Sequence, residues 1–422
     1  MIGPLHLSAS RFVLLAMLIP CLVKWLTGRA GQWCISDFLL FAYCAWCFLS
    51  FSVNHGPSAS IEPGGILFIE TMGAYLLARC YIRDQEDFRN AIRLSATLVM
   101  FLLPFVVLEA VTGRKLILDT FQGVAQTFEF GPTEKRMGLM RAQGPFEHPI
   151  LFGVFCASLF ALTHLVGGKD DGKSGNKFVT ASVVGAALMS LSSAPIASLV
   201  MQCALMSWNW LLRQHAARWK MLWALGFAVY LVIEFGSNQT PASFYITYLT
   251  FDRGTGWYRL FTWEYATASV AAHPIFGIGY ADWVRPTWMA SSTIDNFWLV
   301  IAVRHGIPAL IFMLGAYFAI TLAVGFRAPV DQRQEASRLA YLLCMAVFFF
   351  VGCTVYFWAA SYVWFLFLLG SGVWLMDAKR AERTSTASAC PSPRFTTSRL
   401  AKRTRNGDAA ASPPARRSAS RR

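Results

Sequence analysis

Four arginines, Arg141, Arg253, Arg259 and Arg285, fall in one stretch of the chain together with His148, His273, Asp282 and Asp295. Arginine presents a planar fork of donors that stays charged at any physiological pH and matches phosphate oxygens two at a time. A cluster of this kind suits a phosphate or pyrophosphate ligand, while ordinary loop charge and headgroup anchoring account for any one arginine taken alone. Arg136 and Arg141 lead into Gly144-Pro-Phe-Glu-His148-Pro149, and the other charges follow in a stretch rich in Trp, Tyr, His and Arg. Three other patterns carry less. Gly167-Gly-Lys-Asp-Asp-Gly-Lys-Ser174 matches the phosphate-loop spelling, but it sits between two apolar runs with no strand before it and no room for a nucleotide-binding sheet. Cys44-Ala-Trp-Cys47 has redox spacing inside an apolar run, and Asn238-Gln-Thr240 is a glycosylation sequon only in a host that modifies such sites.

The elements that must position these side chains are membrane helices. The 422 residues are 55% hydrophobic and 14% charged, with a mean hydropathy of +0.45, against about 25% charged in soluble domains. A bilayer core of roughly 30 Å takes about 20 helical residues, and the apolar runs do not alternate as barrel strands would. The net charge of +14 is concentrated in the tail: from Asp377 onward twelve Lys/Arg face three acids, which leaves +5 for the rest. That tail, rich in Ser, Pro, Ala and Arg, is expected to be disordered and drawn to anionic lipid; no nucleic-acid role is expected. Nine of ten cysteines sit in or beside apolar runs and Cys390 in the tail, so no disulfide framework is encoded.

Eleven apolar runs are read as spans: Phe12–Leu26, Trp33–Val53, Gly64–Tyr81, Leu94–Val111, Pro149–Val166, Phe178–Leu191, Ala194–Leu212, Trp219–Phe235, Ile307–Phe326, Leu339–Phe357 and Trp358–Met376. Lys169, Lys173 and Lys177 precede the pair at Phe178–Leu212 and Arg213, Arg218 and Lys220 follow it, so two short helices with a turn at Ser190–Pro195 satisfy the positive-inside rule. Arg79, Arg83, Arg89 and Arg93 mark another inside loop, as do Arg327, Arg333 and Arg338. By alternation Asn54–Pro63, Gly113–His148 and Gly236–Asn296 lie outside. The expected architecture is thus an all-α polytopic bundle over 1–376, with a long helical and irregular outer loop at 236–296 and a cytoplasmic tail at 377–422. Charges within spans are costly: Glu70 is read as a polar pair or a substrate contact, Glu109 and Glu234 as interfacial, and Arg79 as reaching back toward water.

Three patches resemble the O-antigen ligase and polymerase family of bacterial membrane glycosyltransferases. Arg141-Ala-Gln-Gly-Pro-Phe-Glu-His-Pro-Ile-Leu-Phe-Gly153 is similar to its Arg, Gly-x-Phe and His-Pro segment. Arg259-Leu-Phe-Thr-Trp263, continuing to His273-Pro-Ile-Phe-Gly-Ile-Gly-Tyr280, resembles its Arg…Trp…Pro-x-x-Gly-x-Gly element, and Asp295-Asn-Phe-Trp-Leu299 with Gly306 its His-Asn-x-x-Leu…Gly element. Two departures, Ser193-Ala194 where ligases carry arginine after the Ser-Leu-Ser turn and Asp295 in place of histidine, fit a polysaccharide or exopolysaccharide polymerase better than a ligase. The resemblance implies a GT-C-like fold in the bacterial inner membrane and transfer of glycan from polyprenyl pyrophosphate at the periplasmic face, without metal or other cofactor. The bilayer, the lipid-linked oligosaccharide and other membrane proteins of polysaccharide assembly are the partners it implies.

In that reading Arg141 and Arg259 hold pyrophosphate, Arg253 and Arg285 support them, and His273 and Asp282 join the substrate site. Asp295 takes the acceptor proton, with His148, Glu147 and Asp282 as alternatives. Trp257, Trp263, Trp283 and Trp288 offer faces for sugar rings. The rival classes are a ligase acting on a lipid or protein acceptor, a glycolipid flippase or transporter, and a non-catalytic assembly protein; the chain shows no internal duplication of the kind common in transporters. The odd span count places the N-terminus outside, as if an original first helix were missing. A tag at the N-terminus is expected to be accessible to externally added protease in intact cells, and protection there would reverse the assigned topology.

Overall fold

The computed structural model describes residues 9–121, 135–167, 177–236, 253–327 and 331–376. The sequon at Asn238, the tail and all but the first residue of the Gly167–Ser174 motif lie outside the described residues. Those described belong to one unit, Met1–Lys379, and are mostly helical; the strands among them form one small hairpin that pairs Lys135–Arg136 with Leu139–Met140, and residues 273–296 form a long irregular segment.

Every apolar run carries a helix. The first two are α1 (Ala9–Leu26) and α2 (Ile35–His55); the third run is a continuous rod of α3 (Pro57–Phe68), a π turn (Ile69–Gly73) and α4 (Ala74–Tyr81). Helix α5 (Gln85–Thr112) starts where Asp84 accepts from the Asp87 N–H at 2.8 Å and stops at the left-handed Gly113. After a short α6 (Leu116–Phe121) and the hairpin, Pro149 opens α7 (Pro149–Val166) behind the capping residue His148. The expected pair of short helices is present as α8 (Lys177–Met189) and α9 (Ser193–Leu211), with Pro195 in the first turn of α9 rather than between them. They are followed by α10 (Arg218–Gly236), α11 (Arg253–Ala272), α12 (Phe297–Phe326), α13 (Gln332–Gly352) and α14 (Ala359–Ser371).

Among the described residues seven helices are long and apolar enough to cross a membrane: α2, α5, α7, α10, α12, α13 and the helix from Ala359 to Met376. In α10 no residue is buried, an all-round apolar surface suited to hydrocarbon. Helix α7 lies at the centre, packed on α5, α8, α9 and α13, while α2 packs along α12 and α4 along α14.

Two polar features tie the bundle together. The first corrects the expectation for Arg79. Its side chain does not reach water but is fully buried against Asp37 of α2, Nε to Oδ1 at 3.1 Å. The same carboxylate accepts from Tyr75 Oη at 2.5 Å, Trp25 Nε1 at 3.0 Å and the Cys34 N–H at 3.0 Å. With every lone pair occupied, the ion pair can be held away from water. Glu109, near the end of α5, is buried and accepts from the Gln143 and Gly144 N–H groups at 3.0 and 3.1 Å, fixing the turn before α7.

The second feature is a break in α12. The helix starts at Phe297, ten residues before the expected span, and is interrupted at Gly306, φ 82°. A broken helix exposes carbonyls that hydrocarbon cannot satisfy. The segment 274–279 supplies the missing donors: Ile278 and Gly279 N–H reach the carbonyls of Val303 and Arg304 at 2.9 Å each, and the Pro274 carbonyl takes the Ile307 N–H at 2.8 Å. From α2, Trp46 Nε1 donates to the His305 carbonyl at 3.0 Å, and Ser50 Oγ donates to that of Phe276 at 2.7 Å. A Cβ on Gly306 would meet the Ile275 carbonyl oxygen at 1.9 Å. Gly306→Ala therefore combines left-handed strain with a backbone clash, and a loss of at least about 2 kcal/mol is expected in unfolding of the detergent-solubilised protein; an unchanged transition would show that the break is not held as described.

Candidate functional site

The docked segment does more than close the helix break. Gly279 is left-handed, φ 63°, and a Cβ there would strike His55 Nε2 at 2.2 Å. Without one, the next residue comes close enough for the Tyr280 N–H to donate to that nitrogen at 2.9 Å. Its ring then stacks on Phe51, centroids 4.7 Å apart. From here the chain runs over the first half of α12 and encloses a cavity of about 360 Å³. Tyr280, Asp282 and Trp283 form one wall, Asp295 and Arg304 of the α12 region another, and Tyr356 and Trp358 close it from the segment before α14. Asn296 anchors the end near Asp295. Its Oδ1 caps α12 by accepting from the Leu299 N–H at 2.9 Å, and its Nδ2 donates to the Cys353 carbonyl at 2.9 Å.

Of the three charged residues that line the cavity, Asp282 and Asp295 are each paired with an arginine outside the lining, and the third is the exception. Arg259, on α11, places Nε 4.0 Å from Asp295 Oδ2, with side chains 23% and 49% exposed. Arg259 Nε is buried behind Asp295 and makes no hydrogen bond, an unfilled donor of the kind that native structures rarely leave. Desolvation by the protein packed around the half-exposed Asp295 pushes its carboxyl above the usual carboxylate range, and the neighbouring Arg259 charge opposes that rise. Asp282 accepts from Arg285 Nη1 at 2.5 Å, which holds its carboxyl below the usual range. Arg285 also donates from Nε to the Met289 carbonyl at 2.9 Å and faces the Trp283 ring at 5.3 Å, so it braces the loop. The exception is Arg304. Its guanidinium faces the rings of Tyr280 and Tyr356 at 5.4 and 5.6 Å and donates to Tyr356 Oη at 3.3 Å; among the described residues no carboxylate forms an ion pair with it.

The other sequence candidates divide. Arg141 grips the turn between α8 and α9, donating to Ser192 Oγ at 2.7 Å and to the Ser190 carbonyl at 3.5 Å. His148 caps α7 by accepting the Ile150 N–H on Nδ1 at 3.2 Å, and its ring lies 6.3 Å from that of Trp358, which lines the cavity. Burial, then the charges of Arg141 and Lys115, lowers its pKa to about 4, so the imidazole is neutral at physiological pH, with Nδ1 as acceptor and the ring hydrogen on Nε2. Burial and the nearby Glu70 carboxyl raise the pKa of Glu147, whose Oε2 is buried without a hydrogen bond. Glu70 itself, in the π turn, is paired with Arg11 at 2.7 Å, so it is a polar pair, and that pair reaches the cavity wall electrostatically at Tyr280.

His273 is exposed at the corner where α11 gives way to the docked segment, and it does not line the cavity. Arg253 opens α11, but its side chain lies outside the described residues. Trp283 is buried, donates to the Ser292 carbonyl at 2.9 Å and lines the cavity. Trp257, Trp263 and Trp288 are exposed, the last packed edge-on against Phe261.

Sequence reasoning missed Arg304, Tyr280, Tyr356 and Trp358 as cavity residues. The signal for Arg304 was present: a charge just before Gly306-Ile-Pro308, at the edge of an apolar run, is costly unless it faces a polar chamber. The chain matches no family model and no curated protein.

The geometry makes one titration decisive. Removing the Arg259 charge leaves the partial desolvation of Asp295 unopposed, so Arg259→Ala should move the Asp295 pKa still higher. The carboxyl band in difference infrared titration, identified by its loss in Asp295→Asn, measures this. A fall or no change would show that the two side chains do not interact.

Proposed function

We propose that the chain is a membrane glycosyltransferase that polymerises polyprenyl-pyrophosphate-linked glycan at the outer face of a bacterial inner membrane. The observation that carries this reading is the Arg259–Asp295 pair: a carboxyl of raised pKa in the lining of an aromatic-walled cavity, with a guanidinium behind it whose buried Nε makes no hydrogen bond. Diphosphate oxygens fit the donor, sugar rings fit the walls, and a carboxylate of raised pKa fits a proton acceptor.

In the proposed reaction the acceptor hydroxyl oxygen attacks the anomeric carbon of the lipid-linked sugar. A new carbon–oxygen bond forms as the bond to the diphosphate breaks, the bonding electron pair leaves with the diphosphate, and the hydroxyl proton passes to Asp295. Arg259 stabilises the negative charge that accumulates on the departing group, and the N-terminal end of α12, capped at Asn296, adds a favourable dipole. Arg141 acts from further back, by fixing the Ser190–Ser192 turn and setting the field around His148.

The sidedness follows from charge. Arg79, Arg83, Arg218, Arg327 and Arg338 lie at helix ends remote from the cavity, which the positive-inside rule puts in the cytoplasm. The eleven helix-bearing runs, read as eleven crossings of a GT-C-like bundle with a cytoplasmic C-terminus, belong to the same proposal.

In reconstituted membranes supplied with a lipid-linked oligosaccharide repeat, the wild-type chain should build a ladder of products. Arg259→Ala and Asp295→Ala should each slow it by at least about 100-fold, the usual scale for a lost charge-stabilising donor or general base. A ladder undiminished in both variants would end the proposal.

A further inference from the structure

The cavity has two charged ends, and only one of them is needed for transfer. Asp295 precedes the cap of α12, and Arg304 sits nine positions later on the same half-helix, which at 1.5 Å rise per residue separates their backbones by about 13 Å. Arg259 is the charge that acts on Asp295, while Arg304 acts on Tyr280 at the other end. Both carboxylates that line the cavity, Asp282 and Asp295, already have a guanidinium partner. Arg304 is the cavity's one cation that pairs with no carboxylate among the described residues, and it is fixed between two tyrosine rings rather than left to swing.

We propose that Arg304 forms a second anionic subsite, distinct from the diphosphate position, which recognises a carboxylated sugar of the glycan a ring or two from the bond being made. The inference rests on the glycan-transfer reading of this cavity. A carboxylate matches the planar guanidinium fork, and a ring carrying it would lie against Tyr280 and Tyr356, with Trp358 beyond, as pyranose faces lie on aromatic ones. A bare diphosphate would leave those aromatic faces unused. Asp282, neutralised by Arg285, does not repel the anion as a free carboxylate in the same wall would.

The test uses the full chain in lipid nanodiscs and three probes. These are an oligosaccharide containing glucuronate, the same oligosaccharide with its carboxyl groups reduced to alcohols, and inorganic pyrophosphate. Wild-type protein should bind the carboxylated probe at least about tenfold more tightly than the reduced one, the scale of one charge-assisted pair. Arg304→Gln should abolish that difference and leave pyrophosphate binding unchanged, whereas Arg259→Ala should weaken pyrophosphate and preserve the difference. Arg304→Lys, which keeps the charge without the fork, should retain only part of the preference, and matching thermal unfolding curves show that each variant is folded.

Equal wild-type binding of the two oligosaccharides would overturn the subsite, as would loss of pyrophosphate binding in Arg304→Gln, which would make Arg304 a diphosphate ligand. These outcomes are read by binding alone, so they are separable from failure of the transfer reading, which is read by the product ladder.

Discussion

A helix cannot be broken inside hydrocarbon unless its freed backbone groups find partners, and α12 is broken at Gly306. The rest of the site follows from how that demand is met. Segment 274–279 donates to the carbonyls of Val303 and Arg304, and α2 contributes Trp46 and Ser50. Holding that segment in place brings Tyr280 onto His55 and Phe51, and so sets one wall of the cavity. The same break ends the first half of α12 as a short rod with Asp295 at one end and Arg304 near the other. Backbone satisfaction and site geometry are therefore a single arrangement, and the three glycines of the 277–306 region are needed for close approach of backbones rather than for looseness.

Much of this was legible in the residues. Each of the eleven apolar runs carries a helix, whereas α6 and α11 fall in none of them, and flanking lysines and arginines resolved Phe178–Leu212 into two helices. The Pro-x-x-Gly-x-Gly segment and the Asp295-to-Gly306 segment stood out as unusual before their docking was visible, and Arg259 and Asp295 are indeed brought together. Other features were hidden for physical reasons. Burial of Arg79 depends on Asp37, forty-two positions away, and an apolar run with one acid near its start gives no sign of such a partner. The burial of Glu109, which sits near a helix end, was hidden because the turn that covers it comes from a segment 34 positions on. Arg304 is hidden because the long apolar run begins at Ile307, after the break, whereas the helix begins at Phe297.

The two ends of the bundle use charge differently. Around Asp37, every polar atom of the carboxylate is occupied by the protein itself: two rings, a guanidinium and a backbone N–H converge on it. Such a cluster fixes α1, α2 and α4 relative to one another and leaves nothing to offer a ligand. Around the cavity the pairing is looser, 4.0 Å between Arg259 and Asp295 with one donor unfilled. Incomplete satisfaction is costly in a fold and useful in a site, because the missing contact is one that an incoming molecule can complete.

The position of Arg304 on its half-helix carries a last consequence. It lies in the final turn before the break, where carbonyls converge and the peptide dipoles present their negative pole. Together with two tyrosine faces, that pole steadies a guanidinium without any carboxylate of the protein. An anion arriving there has no resident carboxylate to evict and meets a cation already immobilised, though the same negative pole that steadies the cation takes back part of the attraction.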